Sequence, residues 1–172
     1  MAGEKITAAI KGAEEFVKFL DPEDMLLWMP FDSKIYGVRV QGFKSEIGEK
    51  LIQEHIRGTT AGGGTLLYDT ILVAYAELER LRKQYGDSVR YGMVVLSDGR
   101  DEGSSNGLSV IQEKLRPYEH NPIGIQIHTV CIGSDCNEDA MKKISASAHG
   151  KFSKGHTAQD MIRIYKDIAA HY

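Results

Sequence analysis

Two short motifs carry the residues best suited to chemistry, Gly62-Gly63-Gly64-Thr65 and Leu96-Ser97-Asp98-Gly99. The Thr65 hydroxyl and the Asp98 carboxylate are hard oxygen donors. Magnesium takes such donors at about 2.1 Å in near-octahedral geometry and keeps several waters, so a hydroxyl, a carboxylate and water make a suitable shell. The glycines before Thr65, and Gly99 after Asp98, allow sharp turns because glycine takes positive φ without steric cost. The first motif also admits a second chemistry. Where Gly62 to Thr65 opens a helix, backbone donors and the helix dipole favour an anion, which is how a Rossmann-like enzyme would hold a nucleotide or phosphorylated substrate. Against that reading, no Lys follows to make a P-loop, no strand immediately precedes the glycines, and no G-x-G-x-x-G is present.

The elements around the motifs follow from hydrophobic spacing. Ile6, Ile10, Ala13, Val17 and Leu20 line one face of an opening helix that must stop before Asp21-Pro22. Met25 to Met29 is an apolar run of strand length, and after Asp32-Ser33 the alternating segment Lys34 to Val40 predicts a hairpinned edge strand. Ile47, Leu51, Ile52 and Ile56 predict a surface helix ending at Arg57-Gly58. The spacing of Leu67, Ile71, Ala74, Leu78 and Leu81 predicts a long helix to about Gln84, with Thr65 at its start. Tyr91 to Leu96 reads as a buried strand with Asp98 at its C-terminal tip. A short helix from Leu108 to Leu115 stopped by Pro117, a strand from Ile123 to Ile132, a helix near Asn137 to Ala148, a short strand at Phe152 and a last helix from about Thr157 to Ala170 complete the order. Thr157 and Asp160 have the spacing of a capping box.

Alternating strands and helices predict an α/β domain with a mostly parallel central sheet, one antiparallel edge strand and helices on both faces. Right-handed crossovers put the strand-to-helix loops on one edge, where ligand sites of such folds lie. The 172 residues suit one domain. With 42% apolar and 26% charged residues and a net charge of −3 without basic runs, nothing points to nucleic acid or an anionic membrane as a partner. No stretch approaches about 18 consecutive apolar residues, and Met1 to Lys5 lacks the apolar core of a secretory signal, so the chain as written carries no address.

Cys131 lies in an apolar run and reads as a core thiol; Cys136 follows closely, and a disulfide between them stays open. His128 reads as a hydrogen-bonded sheet residue, whereas His120, His149 and His156 fall in loops without a ligand pattern. Asp101, Glu102, Ser104, Ser105 and Asn106 form a polar loop read as solvated, with a role at the rim of the site as the alternative. No Ser-His-Asp order or nucleophile elbow is visible, which argues against an enzyme.

GGGT before a long helix, LSDG closing an apolar strand, and the ending Lys151-Phe152-Ser153-Lys154-Gly155 together resemble a von Willebrand factor A (VWA) domain over nearly the whole chain. The resemblance implies a Rossmann-like fold and a non-enzymatic, adhesion-type interaction domain. It further implies a metal-ion-dependent adhesion site that binds a partner protein's carboxylate through magnesium. Thr65 matches the family's second metal loop and Asp98 its third. The ending is also similar to bacterial VWA domains at the C-terminus of larger proteins, which implies a secreted or surface-attached parent.

The first metal loop, D-x-S-x-S after a first strand, has no counterpart here. In many members it reads D-x-S-G-S-M before the first helix, and Met1-Ala2-Gly3-Glu4-Lys5 resembles the continuation from that Met. The reading that follows is a start inside the motif or a truncation. Loss of a central strand would leave a gap of two strand spacings, about 9.6 Å. The flanking strands would then close up, accept a strand from another chain through self-association or donation, or leave a marginally stable fold. Thr65 and Asp98 alone would hold magnesium weakly.

Overall fold

The computed structural model describes residues 3–60, 62–116 and 124–170. Pro117, His120 and Ile123, the expected start of the strand to Ile132, lie outside these ranges, as does Met1. The described chain runs α1 (Glu4–Phe19), β1 (Met25–Trp28), β2 (Val40–Phe43), α2 (Lys44–Ile47), α3 (Glu49–Arg57), α4 (Leu67–Tyr85), β3 (Gly92–Ser97), α5 (Leu108–Leu115), β4 (Gln126–Ile132), α6 (Glu138–Ser147), β5 (Phe152–Gly155) and α7 (Ala158–Ala169). It is an α/β architecture with parallel and antiparallel ladders and helices around them.

β3, β4 and β5 form a parallel ladder with β4 in the middle, in the register Val94 to His128 and Val130 to Ser153. The strand repeat of two sorts its side chains. Met93 and Val95 face a core made with α4, α5 and α6. Val94 and Leu96 face the opposite one, made with α1 and α7. β4 is buried on both faces, as a central parallel strand must be, and Val130, Cys131 and Ile132 are fully buried. α1 and α7 approach closely at Gly12, where a Cβ would lie 2.6 Å from that of Met161.

β1 and β2 form a separate antiparallel hairpin, Met25 opposite Phe43 and Trp28 opposite Val40. The edge strand thus begins at Val40, not Lys34. The Lys34 amide (2.8 Å) and the Tyr36 hydroxyl (2.8 Å) both donate to the Asp32 carboxylate, and this side-chain-anchored turn competes with a ladder over residues 32–36. No ladder joins β1 to β3 among the described residues. The same helices nonetheless cover both. Met25 and Leu27 pack on the α4 core, and α1 spans from the α7 side at Ala8 and Ala9 to the hairpin side at Ala13 and Val17.

The last helix has the expected cap, with the Thr157 hydroxyl accepting from Asp160 N and the Asp160 carboxylate accepting from Thr157 N. Cys131 and Cys136 are joined in a disulfide with Cα atoms 5.7 Å apart, so Cys131 is buried as a bridged residue and not as a thiol. His128 is buried and accepts from Lys151 N at 3.2 Å, the sheet role its position suggested.

Candidate functional site

The loops after β1, before α4, after β3 and after β4 meet at one edge. Leu66 N donates to Asp32 O (2.8 Å), and Glu102 N donates to Thr65 O (2.8 Å), which ties the glycine loop to both neighbours. Gly63 is the glycine this requires: its φ is +64°, and a Cβ would lie 2.5 Å from Ser33 Oγ. Gly99 differs from expectation. It is absent from the positive-φ residues, and its use is room, since a Cβ there would lie 3.4 Å from Thr65 Oγ1. The structure therefore sets the Thr65 hydroxyl against the turn that carries Asp98. Ser97 shapes that turn, its Oγ bonding both the N–H and the C=O of Gly99 at 3.3 Å.

The Asp98 side chain is only 15% exposed, and Lys5 Nζ from α1 stands 3.8 Å from its Oδ2. The same ammonium donates to Asp135 Oδ2 at 3.0 Å. A cation is thus already drawn to this edge, and the donors beside it, a hydroxyl and a carboxylate, have the chemistry of a hard-ion site. No group of three or more His, Cys, Asp or Glu side chains is assembled for a metal among the described residues.

No family model matches the sequence. No curated protein matches it either. Solved structures do. A von Willebrand factor type A protein from Catenulispora acidiphila superposes with a TM-score of 0.77 at 15% identity, covering 96% of this chain and 37% of that one. The conserved hypothetical protein BatB from Bacteroides thetaiotaomicron gives 0.70 at 13% identity, covering 97% and 89%. Proximal thread matrix protein 1 from the mussel byssus, in a structure described as having a zinc occupied MIDAS motif, gives 0.67 at 15%, covering 95% and 39%. The chain adopts the von Willebrand factor A fold. It spans well under half the length of the first and third of these proteins.

In this VWA fold the polar loop after Asp98 has a structural task that the sequence reading missed. α4 has no side-chain cap of its own. Instead Asp101 Oδ1 accepts from Tyr68 N (3.1 Å) and Ser104 Oγ accepts from Asp69 N (3.0 Å). Asp69 returns the contact, accepting from Ser105 N (2.7 Å), Asn106 N (3.1 Å) and Asn106 Nδ2 (2.8 Å). Burial pushes the Asp69 carboxyl up, but these donors outweigh it and hold it below its ordinary range. The signal available in sequence was an Asp in the first turn of a helix lacking its own cap. The nucleotide reading loses its basis here, because two of the first-turn amides that would meet a phosphate are already taken by Asp101 and Ser104.

Lys5 and Asp135 were also missed. Lys5 had a faint signal, a cation in the first turn of a helix where the dipole disfavours it.

Proposed function

We propose that this chain is a non-enzymatic protein-interaction domain whose partial metal-ion-dependent adhesion site uses Thr65 and Asp98. The observation that carries the reading is the Thr65 hydroxyl lying against the Asp98-Gly99 turn at the edge where four loops meet. Thr65 Oγ1 and the Asp98 carboxylate would hold magnesium, with water in the remaining positions. A bound magnesium supplies a Lewis-acidic position that a carboxylate from a partner protein can complete. That a neighbour of the same fold is described with a zinc occupied MIDAS motif supports a divalent ion at this edge. With these two donors among the described residues, affinity is expected to be weak and partner carboxylates to contribute much of the shell. Isothermal titration with magnesium tests this. A weak, saturable heat that Asp98→Ala abolishes and Thr65→Ala reduces is expected; no site-specific heat, or heat indifferent to Asp98→Ala, refutes it.

A second surface is favoured by the unjoined ladders. Among the described residues β1 and β3 each keep one edge without a ladder partner, and all four residues of β1 are only half-buried despite being Met, Leu, Leu and Trp. Rows of unpaired N–H and C=O groups recruit strands, so association through a donated strand or a second copy follows.

A further inference from the structure

We propose that Lys5 is a tethered cation resident at the metal edge, so that a divalent ion binds there by displacing its ammonium group. The proposal rests on the metal reading of Thr65 and Asp98 and adds a competitor built into the chain.

Lys5 occupies the first turn of α1, a place where the helix dipole opposes a positive charge. Its side chain leaves the helix and crosses to the loops after β3 and β4, where one ammonium bridges two carboxylates, 3.8 Å from Asp98 Oδ2 and 3.0 Å from Asp135 Oδ2. The backbone is shaped to admit it. Gly133 has φ +81°, and a Cβ there would lie 2.9 Å from Lys5 Cε, so any other residue would push the stem away. The two carboxylates have different needs. Asp135 is 71% exposed and solvated, whereas the Asp98 side chain is 15% exposed and calls for a nearby counter-charge. The bond to Asp135 holds the Lys5 amine above its ordinary range and the Asp135 carboxyl below its own.

A divalent ion on Asp98 would stand close to this ammonium and be repelled by it. The edge therefore has two states. In one, Lys5 neutralises Asp98 and no Lewis-acidic position faces a partner. In the other, Asp98 would hold the ion, Lys5 would leave both carboxylates for solvent, and a partner carboxylate could be captured. Lys5 sets how much free metal the switch requires.

Manganese binding followed by the loss of its free-ion electron paramagnetic resonance signal tests this. The proteins are the intact chain, Lys5→Met, Lys5→Arg and Lys5→Met/Asp98→Asn. Removing one unit charge about 4 Å from a divalent ion corresponds, at the dielectric of water, to a gain of about thirtyfold in affinity. Lys5→Met is therefore expected to bind that much more tightly, Lys5→Arg like the parent, and the double variant not at all. Equal Asp98-dependent binding by the parent and Lys5→Met overturns the proposal while leaving the metal reading intact. Absence of Asp98-dependent binding in every protein overturns both. A second readout needs no variant: manganese should speed acetylation of Lys5 by an amine-reactive reagent, scored by peptide mass, relative to exposed lysines such as Lys11. An unchanged Lys5 rate where manganese binds also refutes displacement.

Discussion

Asp101→Ala isolates the borrowed cap on which the Asp98 loop depends. The wild-type carboxylate accepts from Tyr68 N at 3.1 Å, Ser104 Oγ at 2.6 Å and Ser104 N at 3.2 Å. Alanine strands the Tyr68 amide at the start of α4 and releases Ser104, which itself holds the Asp69 amide at 3.0 Å. Loss of an N-terminal cap costs about 0.5–2 kcal/mol. Hydrogen bonds to a charged group contribute about 1.5–3 kcal/mol each, reduced here because the half-buried site lets water replace part of them. The balance is a destabilisation of about 1.5 kcal/mol, near the upper part of the cap range. For a chain of this size that lowers the melting temperature by about 3–6 °C. Urea unfolding and thermal melts followed by circular dichroism measure both figures. Asp101→Asn, which keeps one acceptor oxygen, should lose only part of that. A further consequence separates capping from generic loosening. Once Tyr68 N is free, the helix N-terminus regains its affinity for anions, so sulfate should stabilise Asp101→Ala more than the parent. A shift for Asp101→Ala within the ±0.5 kcal/mol of an ordinary surface change would refute the capping argument.

Asp69 predicts a pH dependence of definite sign. Its folded-state carboxyl lies below its ordinary value, so its contribution is complete above that value and is lost as pH falls through the depressed one. Asp69→Asn should therefore be less stable than the parent at neutral pH, with the difference shrinking in acid titrations below about pH 4; a difference constant down to pH 2 would refute this. The unjoined ladders predict concentration-dependent association in sedimentation velocity, with amide exchange slowing in Met25–Trp28 and Gly92–Ser97 as assemblies form. A monomer at all concentrations whose amides on both strands are already fully protected would refute it.

What the sequence made legible, and what it hid, follows from the range of the forces involved. Helices and strands with strong periodicity were readable nearly to their ends. α4 begins at Leu67, where the spacing put it, α5 spans Leu108–Leu115 as predicted, and the Thr157 capping box forms as spelled. These depend on residues within a turn or two of one another. The β2 boundary failed because a single Asp32 carboxylate gathers the Lys34 amide and Tyr36 hydroxyl into a turn that alternation alone does not foresee. The candidate site divides the same way. Thr65 and Asp98 could be singled out as candidates because each lies in a loop next to the end of an element, two residues before α4 and directly after β3, and right-handed crossovers bring such loops to one edge; their part in holding a metal stays a proposal. Their partners could not be singled out, because Lys5 lies 130 residues from Asp135 and Asp101 caps a helix 33 residues before it. Such pairs leave only indirect marks in sequence, a cation where a helix dipole opposes it and a helix without a cap of its own. In both cases a local rule is broken and a distant residue supplies the compensation. That is the physical reason to treat Lys5 as part of the edge: a helix-start lysine costs α1 something locally, and among the described residues it delivers its charge to Asp98 and Asp135.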